Sequence, residues 1–265
     1  MRTNPMRAGV ERGEAQIGTW LTMIENPAVL RLMQAAGIDF ARVDIEHTGF
    51  SIETIGRLAG MARALDFPIA VRPPIANREW ITRLLDIGVW NLHCPQVESA
   101  AHAAEIVAAA YYAPRGQRGM GGLGPATDFE TFASVREQCE AANRQVFITV
   151  MLETSKAFDD LDAIAATEGI DALTIGPHDL AQNLGIFGQP DQTRILDEKR
   201  ELMLAAARRH GKTCAMLVSS AEQADKWRAA GALLLAYSSD TEVLSSGFRS
   251  AMQRLKGRAA PPRAS

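Results

Sequence analysis

The chain has 265 residues, of which 47% are hydrophobic and 22% are charged, and its formal net charge is −3. This composition is ordinary for a soluble globular protein, and the small negative charge gives no reason to expect nucleic acid or an anionic membrane as a partner. The three cysteines, Cys94, Cys139 and Cys214, are widely spaced, which favours a reduced, cytoplasmic protein over a disulfide framework. The sequence shows neither a signal-peptide pattern nor an apolar run long enough for a transmembrane helix.

Eight short apolar runs predict β-strands. In chain order they lie at 18–24, 40–46, 68–74, 91–97, 146–152, 172–177, 213–219 and 233–239. The amphipathic stretches between them predict helices, the first with Asn26 and the second with Ser51 as N-cap. Strands that alternate with helices form a parallel sheet, and eight such units predict a TIM (β/α)8 barrel. A doubly wound open sheet is the alternative, but the glycine-rich turn typical of its first strand is missing.

The barrel is expected to be a single domain that spans residues 1–265. This length suits one α/β barrel, which typically needs roughly 250 residues. Within it, the N-terminus at 1–15 is expected to be irregular, and residues 257–265 are expected to form a tail.

One segment interrupts the alternation of strands and helices. Residues 113–129 are dense in glycine, and an extra helix is predicted over about 130–143, before the fifth strand. The glycines do not belong to a phosphate-binding loop, because no Gly-Lys-Ser/Thr follows them. The segment is either a flexible loop at a subunit contact, or a cover over an active site in which Arg115 or Arg118 faces an anionic ligand.

Polar side chains gather where the predicted strands end. In a TIM barrel the carboxyl ends of the strands carry the active site. The residues at these ends are Asp44, Glu46, His47, Arg72, His93, Gln96, Glu153, His178 and Asp179. Five strands thus bring polar groups to one end of the barrel, which indicates a functional site rather than a scattered surface.

These residues also have structural interpretations. Asp44 and Glu46 share one side of their strand, and either would form an ion pair with Arg72 on the next strand. Glu153 and Asp179 would serve as caps of the helices that follow them. The case for a site therefore depends on the whole set and not on any single member.

The motifs that contain these residues resemble a known family. "GIDFARVDIEH", "AVRPP", "RLLDIGVWNLHCPQVESAAHA", "MLET" and "IGPHDLAQNLG" are similar, in order and spacing, to motifs of the HpcH/HpaI aldolase family. Its members are class II, metal-dependent aldolases of the pyruvate type, such as 4-hydroxy-2-oxoheptanedioate aldolase and 2-dehydro-3-deoxyglucarate aldolase. The resemblance covers roughly residues 15–255, almost the whole chain, and it implies a TIM barrel.

The resemblance also implies a divalent cation and its ligands. The glutamate of the "ET" motif and the aspartate of "GPxDL" hold the metal ion in the family, and here they are Glu153 and Asp179. Mg²⁺, Mn²⁺ or Co²⁺ is the expected ion, since carboxylate oxygens are the ligands that hard cations prefer.

Further roles follow from the same resemblance. His47 is the expected general base, Asp86 is expected to raise the basicity of this histidine, and Arg72 is expected to stabilise the transition state. His178, next to the metal aspartate, is expected to touch the substrate through its backbone. Asp44 and Glu46 are inward-facing supports, whose partner is either Arg72 or metal-bound water.

One substrate-contacting position departs from the family. Where relatives often carry a glutamine, two residues before the metal glutamate, this chain has Met151, and a thioether cannot donate a hydrogen bond. Gln96, at the end of the fourth strand, is a candidate to supply the missing amide. The sequence "EHTG", with Thr48 and Gly49, also replaces the "EHAP" of many relatives.

The expected reaction is reversible cleavage of a 4-hydroxy-2-oxo acid into pyruvate, or hydroxypyruvate, and an aldehyde through a metal-stabilised enolate. A lyase of the citrate lyase β type that acts on a CoA thioester is the alternative within enzymes. A barrel that binds a 2-oxo acid without turnover is a third possibility, although binding alone needs no base such as His47. Relatives form hexamers, so a homo-oligomer is expected.

Overall fold

The structure, a computed structural model, describes residues 1–257 and is a closed barrel of eight parallel strands. The strands are β1 (Gln16–Leu21), β2 (Phe40–Asp44), β3 (Ile69–Arg72), β4 (Asn91–Cys94), β5 (Phe147–Leu152), β6 (Ala172–Ile175), β7 (Thr213–Val218) and β8 (Leu234–Ser239). Each strand pairs with the next, and β8 pairs with β1. The predicted TIM barrel is confirmed, and every apolar run except the first contains its strand, although most strands end slightly earlier than predicted. β1 overlaps its run but begins two residues before it, at Gln16.

Helices surround the barrel. They are α1 (Pro5–Glu11), α2 (Ala28–Ala35), α3 (Ile52–Ala64), α4 (Arg78–Asp86), α5 (Ala100–Ala110), α6 (Val135–Gln145), α7 (Ser155–Asp159), α8 (Leu161–Ala166), α9 (Pro177–Asn183), α10 (Gln192–Arg209), α11 (Ala221–Ala229) and α12 (Asp240–Lys256). Ser51 caps α3 as predicted, because its hydroxyl accepts the Thr54 N–H at 3.1 Å. At α2 the capping residue is Pro27, although Asn26 still accepts the Ala28 N–H at 3.0 Å.

The N-terminus was expected to be irregular over 1–15, and this is wrong because α1 lies within it. Asn4 is completely buried and donates from Nδ2 to Asn91 Oδ1 at 2.7 Å. Met6 packs against Phe40 inside the amino-terminal end of the barrel. The segment is ordered because it closes the floor of the barrel with one buried amide and one buried thioether.

The extra helix begins later than predicted, at Val135 instead of about residue 130. Asp128 and Phe129 both have positive φ angles, 54° and 58°, a conformation that is incompatible with a right-handed helix. Ser134 provides the actual cap, since its hydroxyl accepts the Glu137 N–H at 3.1 Å.

The lumen of the barrel changes from apolar to charged between floor and rim. Near the floor, Phe40 and Phe147 form part of one buried apolar cluster. Because every second residue of a strand faces the lumen, the next inward positions of β2 are Arg42 and Asp44. The strands therefore present an apolar floor below and ionisable groups at the carboxyl end, where a TIM barrel has its site.

The chain end is described as far as Gly257, which ends α12 in the left-handed conformation, with φ of 58°. The rest of the tail that was predicted at 257–265 lies outside the described residues. Over 1–257, no helix combines the length and the apolar character needed to cross a bilayer.

Candidate active site

Arg72 ends β3 and is held inside the carboxyl end of the barrel. Its Nε donates to Asp44 Oδ1 at 2.9 Å and its Nη2 donates to Oδ2 at 2.8 Å, because β2 and β3 place these two residues side by side. Its Nε also lies 3.3 Å from Glu46 Oε2. The two carboxylates that were expected to support the site thus pair with Arg72. They orient its guanidinium and leave Nη1 uncommitted to any carboxylate of residues 1–257.

His47 follows β2 at the rim, and its side chain is 61% exposed. Its Nε2 lies 3.7 Å from Glu46 Oε2, and Gln96 Nε2 donates to the other oxygen of Glu46 at 3.4 Å. Burial raises the pKa of Glu46, and the positive charge of Arg72 opposes this shift. Glu46 therefore links the imidazole at the rim to the guanidinium below it.

Asp86 lies away from His47 within this chain, and the role expected for it, to raise the basicity of that histidine, stays a prediction. It is the last residue of α4, and a helix of this length carries it about 12 Å away from the rim where α4 begins. Its Oδ1 instead accepts a hydrogen bond from Arg118 Nη2 at 2.6 Å. Within the protomer, Glu46 is the carboxylate that neighbours His47.

Glu153 follows β5 and is only 3% exposed. Its Oε2 accepts the backbone N–H of Gln96 at 2.8 Å. Burial raises the pKa of Glu153 to about 7; the Gln96 N–H opposes the shift, and the negative charges of Asp179 and Glu46 reinforce it. Glu153 is thus a buried carboxylate with other carboxylates nearby, an environment that favours a cation.

Gln96 has a left-handed backbone, with φ of 53°, which is uncommon for a residue other than glycine. This conformation directs its N–H at Glu153, while its exposed side chain reaches Glu46. Such backbone strain is often found at functional sites. The amide expected from Gln96 therefore lies at the rim, next to the carboxylates.

Neither Glu153 nor Asp179 is a helix cap, so the structural interpretation of these two residues is wrong. Thr154 caps α7, and Gly176 is the capping position of α9, so Asp179 lies inside the first turn of that helix. A Cβ at Gly176 would approach Glu153 Oε1 to 2.1 Å. Only glycine at this position leaves room for the Glu153 carboxylate.

Met151 and His178 are the two remaining residues that were expected to contact the substrate, and they lie in different surroundings. Met151 is 5% exposed and faces the lumen, because it precedes Glu153 by two residues on β5. His178 is exposed at the rim, and its ring centroid lies 6.3 Å from that of Phe187. The position of Met151 gives the lumen an apolar wall, whereas His178 borders solvent.

The glycine-dense segment does not direct its arginines at the site. Arg118 binds Asp86, and the guanidinium carbon of Arg115 lies 4.1 Å from the centre of the Tyr111 ring. Both groups are used for contacts on the outside of the barrel. The interpretation of this segment as a cover with a free arginine is therefore wrong for these two residues.

Sequence reasoning missed the layer of the lumen below Arg72. Trp20, Arg42 and His93 meet there, and His93 had been noted only as a polar residue of the fourth strand. The period-two alternation of β2 could have predicted the position of Arg42. It precedes Asp44 by two residues and therefore faces the same side of the strand.

The donor set fits a divalent cation of the hard type. No cluster of three or more His, Cys, Asp or Glu side chains that would enclose a metal is found within the described part of the chain. Glu153 and Asp179 offer two carboxylates, which leaves most coordination positions to water and to a ligand. This arrangement is usual for Mg²⁺ and similar cations, which bind through one or two carboxylates together with substrate oxygens.

Comparison with known proteins connects this geometry to a family. A sequence model described as HpcH/HpaI aldolase/citrate lyase matches residues 16–246. The chain is 34% identical to a 5-keto-4-deoxy-D-glucarate aldolase of Citrobacter koseri, over 95% of both chains. It is 33% identical to a hydroxypyruvate/pyruvate aldolase of Agrobacterium fabrum, over 97% of this chain and 96% of the relative.

A solved structure extends the match to three dimensions. The crystal structure of an HpcH/HpaI aldolase from Desulfitobacterium hafniense superposes with a TM-score of 0.89 and 32% identity, and covers 97% of this chain and 98% of that one. The sequence match and the shared barrel span the same elements that carry Arg72, Glu153 and Asp179. The chain belongs to the HpcH/HpaI aldolase/citrate lyase family.

Proposed function

We infer that this chain is a class II aldolase of the pyruvate type, which reversibly cleaves a 4-hydroxy-2-oxo acid into pyruvate, or hydroxypyruvate, and an aldehyde. One observation carries the site assignment: the carboxylates of Glu153 and Glu46 lie at the same strand ends as Arg72 and His47. The relatives named as aldolases match over nearly their full length, which supports the same class of reaction.

Glu153 and Asp179 are the residues that would hold the divalent cation. Glu153 is buried and pre-positioned by the Gln96 N–H, whereas Asp179 is exposed at the first turn of α9. When bound, the cation would polarise the keto group and compensate the negative charge of the enolate. One carboxylate thus faces the lumen and the other faces the entrance.

Arg72 is proposed to bind the keto oxygen. Asp44 occupies its Nε and Nη2, so Nη1 is the group available to a substrate oxygen. Because the guanidinium is already oriented by two hydrogen bonds, little reorganisation is needed when negative charge develops on that oxygen.

His47 is proposed to move the proton. In the cleavage direction, the imidazole accepts the proton of the C4 hydroxyl while the C3–C4 bond breaks and the aldehyde forms. The protonated imidazole then returns this proton to C3 of the enolate, which gives pyruvate. Glu46, 3.7 Å away, orients the imidazole and stabilises its protonated form. The exposed position of His47 allows a water molecule to relay the proton.

A retro-aldol assay tests this proposal. The purified protein is incubated with a set of 4-hydroxy-2-oxo acids, and pyruvate release is coupled to lactate dehydrogenase. We expect turnover that EDTA abolishes and that Mg²⁺, Mn²⁺ or Co²⁺ restores. His47→Ala should lower kcat by roughly 10²- to 10⁴-fold, the usual contribution of a general base.

His210→Ala is the matched control, since His210 lies outside the lumen next to Asp162, at 3.1 Å. It should leave kcat unchanged. Full turnover in EDTA with metal-free protein, or equal kcat values for the two histidine variants, would contradict the proposal.

The acceptor aldehyde is set in part by Met151. This side chain presents a thioether to the lumen where a hydrogen-bonding amide is frequent in the family, so we propose that the chain tolerates acceptors without a hydroxyl at the corresponding carbon. Comparison of kcat/KM for hydroxylated and non-hydroxylated aldehydes, in the protein and in Met151→Gln, measures this preference. An unchanged ratio in the variant would refute the assignment.

No observation favours the CoA-thioester lyase. A CoA thioester would need cations for its phosphates, and the two arginines of the glycine-dense segment, Arg115 and Arg118, are engaged with Tyr111 and Asp86. Binding of a 2-oxo acid requires only Arg72 and the carboxylates of Glu153 and Asp179 that would hold the cation.

A homo-oligomer in the cytoplasm is proposed for the working enzyme. Phe248, Met252 and Leu255, which are 67%, 43% and 78% exposed, follow one another at helical spacing along α12, so they form an apolar stripe suited to a second copy. The three free cysteines suit a reducing compartment. Light scattering on the purified protein measures the mass, and a monomer would contradict the proposal.

A further inference from the structure

The guanidinium groups of Arg42 and Arg72 and the imidazole of His93 meet around the Trp20 ring, inside the barrel. The guanidinium carbon of Arg42 lies 5.6 Å from the centre of the Trp20 ring, and that of Arg72 lies 4.8 Å from it. The His93 ring meets Trp20 edge-on, with centroids 5.5 Å apart. Strands β1 to β4 thus concentrate positive charge in one small part of the lumen.

Arg42 has no anionic partner in this layer. It is 3% exposed, and the one charged group that acts on it strongly is Arg72, which is also positive. Arg72 itself is balanced by Asp44 and Glu46, whereas no carboxylate among residues 1–257 forms an ion pair with Arg42. Its contacts with the Trp20 and Phe40 rings offset only part of the free energy that the burial of an unpaired charge costs.

His93 lies beside Arg42 and has an unsatisfied nitrogen. It is 1% exposed, and its Nε2 has no hydrogen-bond partner among the described residues. Burial lowers the pKa of His93 well below its ordinary value, and the charges of Arg42 and Arg72 lower it further. The neutral imidazole carries one N–H, and in the tautomer with the proton on Nε2 this donor has no acceptor among the described residues, which is costly for a buried group.

We propose that Arg42 and His93 form a binding site for a small monovalent anion of the halide class, with chloride as the physiological occupant. A single negative charge matches the one uncompensated guanidinium. A monatomic ion accepts hydrogen bonds from any direction, so it serves both the guanidinium and the imidazole N–H. It is also compact, which suits a layer in which Arg42 and His93 are almost completely buried.

Arg42 and Asp44 face the same side of β2, but Asp44 commits both of its oxygens to Arg72. Asp44 therefore does not compensate the charge of Arg42. The proposal does not depend on which substrate the rim binds.

Thermal unfolding in different salts tests the proposal. Sodium chloride or bromide is titrated against sodium gluconate at constant ionic strength, so that a specific effect is separated from screening. We expect a saturable rise in Tm of about 2–4 °C with the halide, which Arg42→Met abolishes. Arg136→Met is the matched control, because Arg136 is exposed and paired with Glu140 at 2.8 Å; it should respond like the unmodified protein.

Equal Tm values in halide and gluconate, or an unchanged response in Arg42→Met, would overturn the proposal. A rise in Tm that depends on Arg42 but is produced by pyruvate or oxalate, and not by halide, would also overturn it, because the occupant would then be a substrate carboxylate.

Anomalous diffraction from bromide-soaked crystals gives a second measurement that does not depend on the folding of the Arg42 variant. We expect a bromide peak within hydrogen-bonding distance of the Arg42 guanidinium and of His93 Nε2. The peak should be weaker in crystals of His93→Phe. Bromide found only on the protein surface would contradict the assignment.

Discussion

At the scale of single residues, the site depends on groups that hold other groups in place. Asp44 uses both oxygens to orient Arg72, and the strained backbone of Gln96 directs an N–H at Glu153. A sequence pattern does not predict the role of either supporting residue, because that role depends on the partner that the residue contacts. Their contributions are measurable by substitutions that keep size and remove the contact.

Asp44→Asn should weaken the ion pair that orients Arg72 and should lower both the stability of the protein and its kcat. The pair is almost entirely buried, with side-chain exposures of 11% for Arg72 and 4% for Asp44, and breaking such a pair costs roughly 3–5 kcal/mol of stability. Glu46 remains near Arg72, so the loss should fall at the lower end of that range. Urea unfolding gives the free energy, and kcat should fall because the guanidinium loses its orientation.

The exposed pair of Arg228 and Asp225 supplies the control. Asp225→Asn should change stability by no more than about 1 kcal/mol, as is usual for surface ion pairs. If Asp44→Asn is as mild as this control, the pair does not support the site.

Gly176→Ala should weaken metal binding, although residue 176 is not itself a proposed metal ligand. The added Cβ would lie 2.1 Å from Glu153 Oε1 and 2.7 Å from its Cγ, so the Glu153 carboxylate has to move. Gly56→Ala is the control, because a Cβ at Gly56 meets nothing within 4 Å and alanine favours the helix. Mn²⁺ titration should show an at least tenfold weaker affinity for Gly176→Ala alone, and equal affinities would refute the close contact.

At the scale of elements, the closure of the barrel depends on Asp240, the first residue of α12. Its two oxygens accept the Thr22 N–H at 2.8 Å, the Thr22 hydroxyl at 2.7 Å, the Met23 N–H at 3.0 Å and the Ile24 N–H at 2.9 Å. Burial alone would raise the pKa of Asp240, but these hydrogen bonds outweigh it and lower the pKa below its usual value. One carboxylate therefore fixes the loop after β1 to the last helix.

Asp240→Asn should reduce stability by about 2–3 kcal/mol at pH 7, because an amide presents N–H groups to donors that need an acceptor. Since folding lowers the pKa of Asp240, its stabilisation is fully present above the unfolded value of about 3.9 and disappears as the pH falls below it. The difference in unfolding free energy between protein and variant should therefore shrink between pH 5 and roughly pH 2. A constant difference across that range would show that the ionised form is not the stabilising one.

The elements also show what could be predicted from the sequence. Strand positions were predictable because period-two apolar runs and helix caps are local signals. The helix α1 was not, because it is ordered by contacts of Asn4 and Met6 with residues distant in sequence. In the same way, the partner of Asp86 is set by a long loop that returns to α4, and no local pattern reports such a contact.

At the scale of the whole molecule, the barrel has an apolar packing region at one end of its axis and the candidate active site at the other. Its floor is closed by Met6 and Phe40, its middle layer holds Arg42 and His93, and its rim carries the carboxylates. The family resemblance pointed to the rim because its motifs follow the strands. The middle layer carries no such motif, and only the packing of four strands around Trp20 brought its members together.

We propose that Glu153 and Asp179 jointly hold a divalent cation at the rim, and direct measurement of Mn²⁺ binding tests this assignment. Equilibrium binding, followed by the electron paramagnetic resonance of free Mn²⁺, is measured for the unmodified protein, for the double variant Glu153→Gln/Asp179→Asn, and for Glu137→Gln on the exposed first turn of α6 as control. We expect one Mn²⁺ per chain in the protein and the control, and an affinity weakened more than 100-fold in the double variant. Unchanged Mn²⁺ affinity in the double variant would contradict this assignment.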